Sequence, residues 1–421
     1  MINRRNFIKS SIFITTPFSF LHTSKASNKA HIVIIGAGWG GLSAAKTLRQ
    51  LNKNCKITII EKQKNFISCP ISNWVIGQIK VMKDITFSYK NFIKNNQIDM
   101  LFEEVKNIDI YKKKVYLNGL NLSYDKLIIS PGVELEYNSI NGLTNSFDNQ
   151  NVFTAWKAGE ETNLFSKRIK KLNNKENIII TIPLSPYRCP PGPYERASLL
   201  ANFIKKYKLN NRIIILDANQ KIVSKGKLFS KAWKELYSDI IDYRPDNNIL
   251  SINSKEKKIF TDFDEYSYDI ANIIPKQRAP KILYEAGLIK TNRKWASVNS
   301  FDFRSTEAKD VYIIGDATDK VSVGNVPKSG YIAYSMGKVC GYAVHSALLN
   351  KEPPSPSMIN TCYSLVTENQ GISVSAVYKH DKSKNKIISV NGASGISPNR
   401  SEIIAYNAWD WAQAIWSDML S

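Results

Sequence analysis

The chain has 421 residues, 43% of them hydrophobic, and a formal net charge of +22. Such a length exceeds what one hydrophobic core serves, so two or three globular domains are expected. No run of about 18 uncharged apolar residues occurs, which argues against an integral membrane segment. The lysines are scattered among asparagines rather than gathered with aromatics into a stripe, which argues against nucleic-acid binding. Charge of this size can still steer an acidic partner or favour an anionic surface.

The first 26 residues differ from the rest. Arg4-Arg5-Asn6-Phe7-Ile8-Lys9 is a basic start with a twin-arginine pattern, Ser10 to Leu21 is a short apolar stretch, and Ser24 and Ala26 are small residues at a cleavage site. This is the pattern of a twin-arginine export signal and predicts a periplasmic protein. Losing Arg4, Arg5, Lys9 and Lys25 with the signal would leave a mature charge of +18. There are five cysteines, Cys55, Cys69, Cys189, Cys340 and Cys362. An odd number in an exported chain leaves at least one unpaired. No H-E-x-x-H, C-x-x-C or C-x-x-C-H is present, so neither a metal site nor a haem attached to this chain is expected.

Ala30 to Ile35 has the composition of a buried strand. Gly36-Ala37-Gly38-Trp39-Gly40-Gly41 follows, then Leu42 to Leu51 at helical spacing, and a second strand, Lys56 to Ile60, ends in Glu61. In such a unit Gly36 permits the tight turn, Gly38 lets a pyrophosphate approach the backbone, and Gly41 lets helix and strand pack closely. The helix N-terminus faces the phosphates. Glu61 is placed to accept hydrogen bonds from a ribose. Lys126 to Ser130 is a further strand, ending in Pro131-Gly132. Much later, Val311 to Ile314 ends in Gly315-Asp316. An aspartate at that strand end resembles the second FAD motif of the two-dinucleotide-domain flavoproteins, which gives Asp316 the flavin ribitol. FAD is therefore the expected cofactor, on a domain assembled from both ends of the chain.

A second unit of this kind spans Asn177 to Ile182 (strand), Glu195 to Lys208 (helix) and Arg212 to Leu216 (strand, ending in Asp217). Its turn, Pro183 to Tyr194, contains one glycine and five prolines. Prolines remove backbone N–H donors where a pyrophosphate would need them, so no nicotinamide cofactor is expected there.

Ser68-Cys69-Pro70-Ile71-Ser72-Asn73, Arg188-Cys189-Pro190-Pro191-Gly192-Pro193-Tyr194-Glu195-Arg196 and Thr361-Cys362-Tyr363-Ser364 resemble the flavoprotein subunit of flavocytochrome c sulfide dehydrogenase. The resemblance extends over nearly the whole chain, including Pro327-Lys328-Ser329-Gly330-Tyr331 and Gly371 to Leu420. It implies that Cys69 attaches covalently to the flavin, that Cys189 and Cys362 form a redox-active disulfide beside it, and that Glu195 is a nearby proton acceptor. It also implies sulfide as substrate and a separate c-type cytochrome subunit in a heterodimer. The helix start at Cys189, with Arg188 and Arg196, should favour a thiolate there. Plainer alternatives are a structural disulfide, a free buried Cys69, a Glu195 that caps its helix, and a Lys328 that is a loop lysine rather than a flavin neighbour. Cys55 and Cys340 are expected in the core.

Asn350 to Ser357 has the composition of a linker, Gly371 to Val377 and Lys386 to Val390 of a hairpin, and Ser401 to Leu420 of a helix carrying Trp409, Trp411 and Trp416. Core packing of that helix is expected, with a membrane-surface role as the second reading. The expected fold is α/β: two Rossmann-like dinucleotide-binding domains plus a small α+β C-terminal domain. The expected divisions are 1–26 for the signal, 27–150 and 281–350 for the FAD domain, 151–280 for the second domain and 351–421 for the C-terminal one. The expected activity is FAD-dependent sulfide:cytochrome c oxidoreduction. A sulfide:quinone oxidoreductase and a non-catalytic flavin-bearing partner of a sulfur-oxidising complex are the other readings.

Overall fold

The computed structural model describes residues 29–147 and 150–421, so the expected export signal lies outside the described residues. The run His31–Ile35 is buried at its last four positions. A continuous apolar strand of this kind belongs inside a parallel sheet covered on both faces. It pairs in parallel with Lys56–Ile60 on one side and Lys126–Ile129 on the other. Asp99–Leu101 and Val311–Ile313 complete the two edges of this five-stranded sheet. The Val311–Ile313 strand returns to the sheet after the second domain, as the two-ended assembly requires.

The first helix, Trp39–Leu51, already contains Gly40 and Gly41 in its first turn. The long helix Gly330–Leu348 lies against it at backbone distance. A Cβ on Gly337 would stand 2.3 Å from the Gly40 carbonyl oxygen, so only glycine allows this approach.

The second sheet is also parallel and five-stranded, in the order Val152–Phe153, Ile270–Ile273, Asn177–Ile182, Arg212–Asp217, Ile241–Arg244. Its helix runs Gly192–Lys206, starting three residues and ending two residues earlier than the sequence predicts. Pro193 fits there because the first helical turn has no use for its missing N–H.

The C-terminal part contains one strand more than the hairpin predicted from sequence. Ser357–Leu365 pairs antiparallel with Gly371–Asp381, which pairs with Lys386–Ile396. The last helix, Glu402–Leu420, packs on the first domain through its tryptophans. Trp411 stacks on Trp39 at 5.9 Å, Trp409 on Trp74 at 6.0 Å, and the buried Trp416 meets Phe87 at 5.0 Å. All three are used in packing, in keeping with core packing. Among the described residues no helix is long and apolar enough to cross a membrane.

Candidate active site

A cavity of about 980 Å³ opens between the two sheets and the C-terminal strands. That is at the upper end of small-molecule sites. Gly36, Gly38, Glu61, Gly132 and Asp316 line it, and so do Cys69, Cys189, Cys362 and Glu195. Residues from all three parts of the chain thus meet around one space.

The floor is the glycine turn. Gly36 has φ +94°, and a Cβ on it would lie 2.3 Å from the Ser130 carbonyl oxygen. At Gly38 and Gly132 an added Cβ would meet nothing within 4 Å, so both backbones lie bare along open space. Glu61 closes the turn: its Oε2 accepts from the Ala37 N–H at 2.8 Å and its Oε1 from Gln63 N–H at 2.9 Å. Asp316, on the turn Gly315–Ala317, is buried, and among the described residues its carboxylate has no hydrogen-bonding partner. Burial pushes its carboxyl up, while Arg188 and Lys328 pull the other way. A carboxylate that lines the cavity without a protein donor is free to accept from a polyhydroxyl ligand. The open glycine cradle and this orphan carboxylate fit an FAD, with Gly36 and Gly38 at the pyrophosphate and Asp316 at the ribityl chain.

Lys328 does not point into this space. Its ammonium donates to the carbonyl oxygens of Asp316 at 2.6 Å and Thr318 at 2.7 Å and sits over the Trp295 ring. Burial draws its pKa down to about 8. It holds the Asp316 turn rather than facing the cavity.

The roof carries the sulfur chemistry. All five cysteines are free thiols in this structure. Cys189 adopts left-handed backbone, φ +57°, just before the helix Gly192–Lys206, and its N–H donates to the Lys328 carbonyl at 2.8 Å. Cys362 lies on the strand Ser357–Leu365, where Asn360 Nδ2 donates to its Sγ at 3.3 Å. The expectation of a favoured Cys189 thiolate is not met. Burial pushes that thiol up to about 12, Cys362 and Glu195 add to the rise, and Arg188 and Lys225 offset only part of it. Arg196 gives the cysteine no hydrogen bond. It is buried and donates to Asn73 Oδ1, Asn272 Oδ1 and the carbonyls of Thr154 and Ala155. Desolvation brings it down to about 10.

Glu195 is buried on the first turn of its helix but caps nothing. Its Oε1 accepts from Trp74 Nε1 at 3.2 Å and Leu365 N–H at 2.9 Å, and its Oε2 from Asn73 Nδ2 at 2.9 Å. Burial pushes this carboxyl up against those bonds. Cys69 follows the short strand Asn65–Ile67, and its Sγ accepts from the Ala158 N–H at 3.4 Å. Cys55 and Cys340 are buried in the core of the first domain.

The corresponding turn of the second domain is filled from within. Asp217, at the end of the second strand, is where an acid of a nicotinamide-binding unit would meet a ribose. Here it is fully buried, with Oδ2 accepting from Tyr194 at 2.7 Å and Tyr243 at 3.0 Å and Oδ1 from Asn219 Nδ2 at 2.7 Å. Tyr187 closes the same cluster.

Two residues of the site carried no signal in the sequence. Lys225 is one lysine among several in its segment, yet its ammonium reaches the Cys362 strand. Asn73 lies within the Cys69 motif, and the structure makes it the bridge between Glu195 and Arg196.

Comparison with known proteins agrees with this geometry. Residues 162–275 match the central domain of the sulfide dehydrogenase (flavocytochrome c) flavoprotein chain, and residues 354–420 match the flavocytochrome c sulphide dehydrogenase flavin-binding domain. Residues 30–180 match the pyridine nucleotide-disulphide oxidoreductases. The sulfide-quinone reductase of Aquifex aeolicus is 23% identical over 363 residues, which are 81% of this chain and 82% of that protein. The mitochondrial sulfide:quinone oxidoreductase of Dictyostelium discoideum is 24% identical over 70% of this chain and 67% of its own length. The crystal structure of the Aquifex aeolicus sulfide:quinone oxidoreductase superposes with a TM-score of 0.75 at 18% identity, covering 93% of this chain and 91% of the other. The chain is an FAD-dependent oxidoreductase of sulfur compounds, and it belongs to the flavoprotein family of flavocytochrome c sulfide dehydrogenase.

Proposed function

We propose that this protein is the flavoprotein half of a periplasmic sulfide dehydrogenase that oxidises hydrosulfide to sulfane sulfur at a Cys189–Cys362 disulfide. The electrons go to a separate c-type cytochrome subunit. The observation that carries this reading is the convergence of Cys189, Cys362 and Glu195 on the cavity that Gly38 and Asp316 also line. Hydrosulfide is a soft nucleophile. Its sulfur bonds to one cysteine sulfur as the disulfide breaks, and the other cysteine leaves as a thiolate holding the bonding pair. Glu195, buried and pushed up, is placed to receive the hydrosulfide proton. FAD, when bound, supplies a two-electron acceptor that can give electrons up singly. The tyrosine-filled second crevice supports sulfide, not a nicotinamide, as the source of electrons.

Two finer points belong to this reading. Cys69 is the residue that links covalently to the flavin. After denaturation, flavin fluorescence should stay with the wild-type protein band and leave that of Cys69→Ala; loss from both would remove the link. The periplasmic location rests on Arg4 and Arg5, and their replacement by lysine should keep the protein in the cytoplasm.

The named relatives favour one competing reading, sulfide:quinone oxidoreduction. With purified protein and sulfide, c-type cytochrome should be reduced at least about tenfold faster than a soluble quinone, a difference of roughly 1.4 kcal/mol in barrier. Faster quinone reduction would select the competing reading. A flavin spectrum that sulfide leaves unchanged would point to the non-catalytic partner.

A further inference from the structure

Lys225 is held where an ordinary lysine is not found. It is 5% exposed, and its backbone is left-handed at φ +57°, immediately before the helix Gly226–Leu236. Left-handed backbone costs a residue with a Cβ on the order of 1 kcal/mol, and burial strips the ammonium of water. Buried charges are normally paired with carboxylates. Among the described residues, however, this ammonium forms no ion pair. It donates to two neutral acceptors, the Cys362 carbonyl at 2.9 Å and the Ser364 Oγ at 2.8 Å. Both belong to the strand that carries Cys362.

The groups that face it are few. Cys362, Glu195 and Cys189 each raise its pKa, in that order, against a larger lowering by burial. On the adjacent strand, Cys362 pairs with the uncharged Val374, and Tyr378 farther along supplies no positive charge. Arg188 acts on Cys189 from the cavity side, but its guanidinium is bonded to the Trp156 carbonyl. Lys225 is therefore a fixed cation behind a pair of sulfurs and a buried carboxyl. Asn360 Nδ2 donates to the Cys362 sulfur at 3.3 Å while the thiol donates to Asn360 Oδ1 at 3.6 Å, so the Nδ2 donor remains for the sulfur once its proton is gone.

We propose that Lys225 is a positioning residue whose ammonium stabilises the thiolate released on Cys362 when the Cys189–Cys362 disulfide opens. This deepens the function proposed above and rests on it. In the opening step the incoming sulfur bonds to Cys189, the disulfide bond breaks, and its electron pair stays on Cys362. That negative charge appears in a buried site next to Glu195, where Lys225 supplies the balancing charge. The lysine acts through the thiolate and does not itself touch the cavity.

The test uses the full-length holoprotein, reduced with dithiothreitol and treated with iodoacetamide at one mildly alkaline pH. Alkylation at each cysteine is then followed by peptide mass spectrometry. Lys225→Met should slow alkylation of Cys362 about tenfold, and Lys225→Arg should restore most of it. Cys55 and Cys340 report the fold, because unfolding would expose both and speed their reaction. If Lys225→Met unfolds by that measure, Lys225→Gln, whose amide can still donate to both acceptors, carries the same expectation. An unchanged Cys362 rate in a folded neutral variant would overturn the proposal. The underlying reading fails differently: Cys189 and Cys362 of the air-oxidised wild-type protein would then alkylate without reductant.

Discussion

The molecule contains two strand–turn–helix units on parallel sheets, and they are put to opposite uses. In the first, glycines leave the turn bare. Gly36 takes φ +94° with no room for a Cβ beside the Ser130 carbonyl, while Gly38 faces open space. In the second, the turn is packed. Tyr187 and Tyr194 fill it, Asp217 is bonded by two tyrosines and an asparagine, and Cys189 projects from its end to the cavity of the first. A dinucleotide site can thus be closed by side chains that satisfy the very carboxylate a ribose would have used. The freed turn then becomes a mount for a reactive group aimed at the neighbouring cofactor.

The comparison can be broken most severely at its open end. Gly36→Val adds a Cβ 2.3 Å from a carbonyl oxygen at φ +94°. Strain and overpacking together should cost roughly 3 kcal/mol or more. The variant should purify without FAD and with a lowered melting temperature. A flavin-loaded Gly36→Val of normal stability would mean that the turn does not hold the cofactor.

The closed end gives a pH signature. The Cys189 thiol, pushed up to about 12, loses its proton more reluctantly than a free thiol of ordinary value 9.0. Its thiolate fraction at pH 8 should be on the order of a thousandfold lower than that of an unperturbed cysteine. In the reduced protein its alkylation should keep rising about tenfold per pH unit past pH 10. A plateau near pH 9 would show that Arg188 and Lys225 offset burial in full.

Much of the frame was legible in the sequence because it depends on local rules. The runs His31–Ile35 and Asn177–Ile182 are apolar without alternation, and Gly36 to Gly41 supplies the turn between strand and helix. Ser357–Leu365 was not legible as a strand. It is rich in polar side chains and follows a proline-rich stretch, and only pairing with Gly371–Asp381 makes it extended. The cysteine cluster was legible through its motifs, but its electrostatics were not. Arg196 belongs to the same motif as Cys189 and yet spends its donors on Asn73, Asn272 and two carbonyls. Lys225 is distant in sequence and lies behind Cys362. Helical direction and burial decide such matters, and neither is written in nearest-neighbour order.

The central claim is that sulfide reaches the flavin through the Cys189–Cys362 pair. The most direct test is anaerobic titration of the purified flavoprotein with sulfide, following the visible flavin absorbance in wild type and in Cys189→Ser and Cys362→Ser. The account predicts bleaching in the wild type and a rate lower by about a thousandfold or more in each variant, with flavin content unchanged. Bleaching of either variant at the wild-type rate would contradict it.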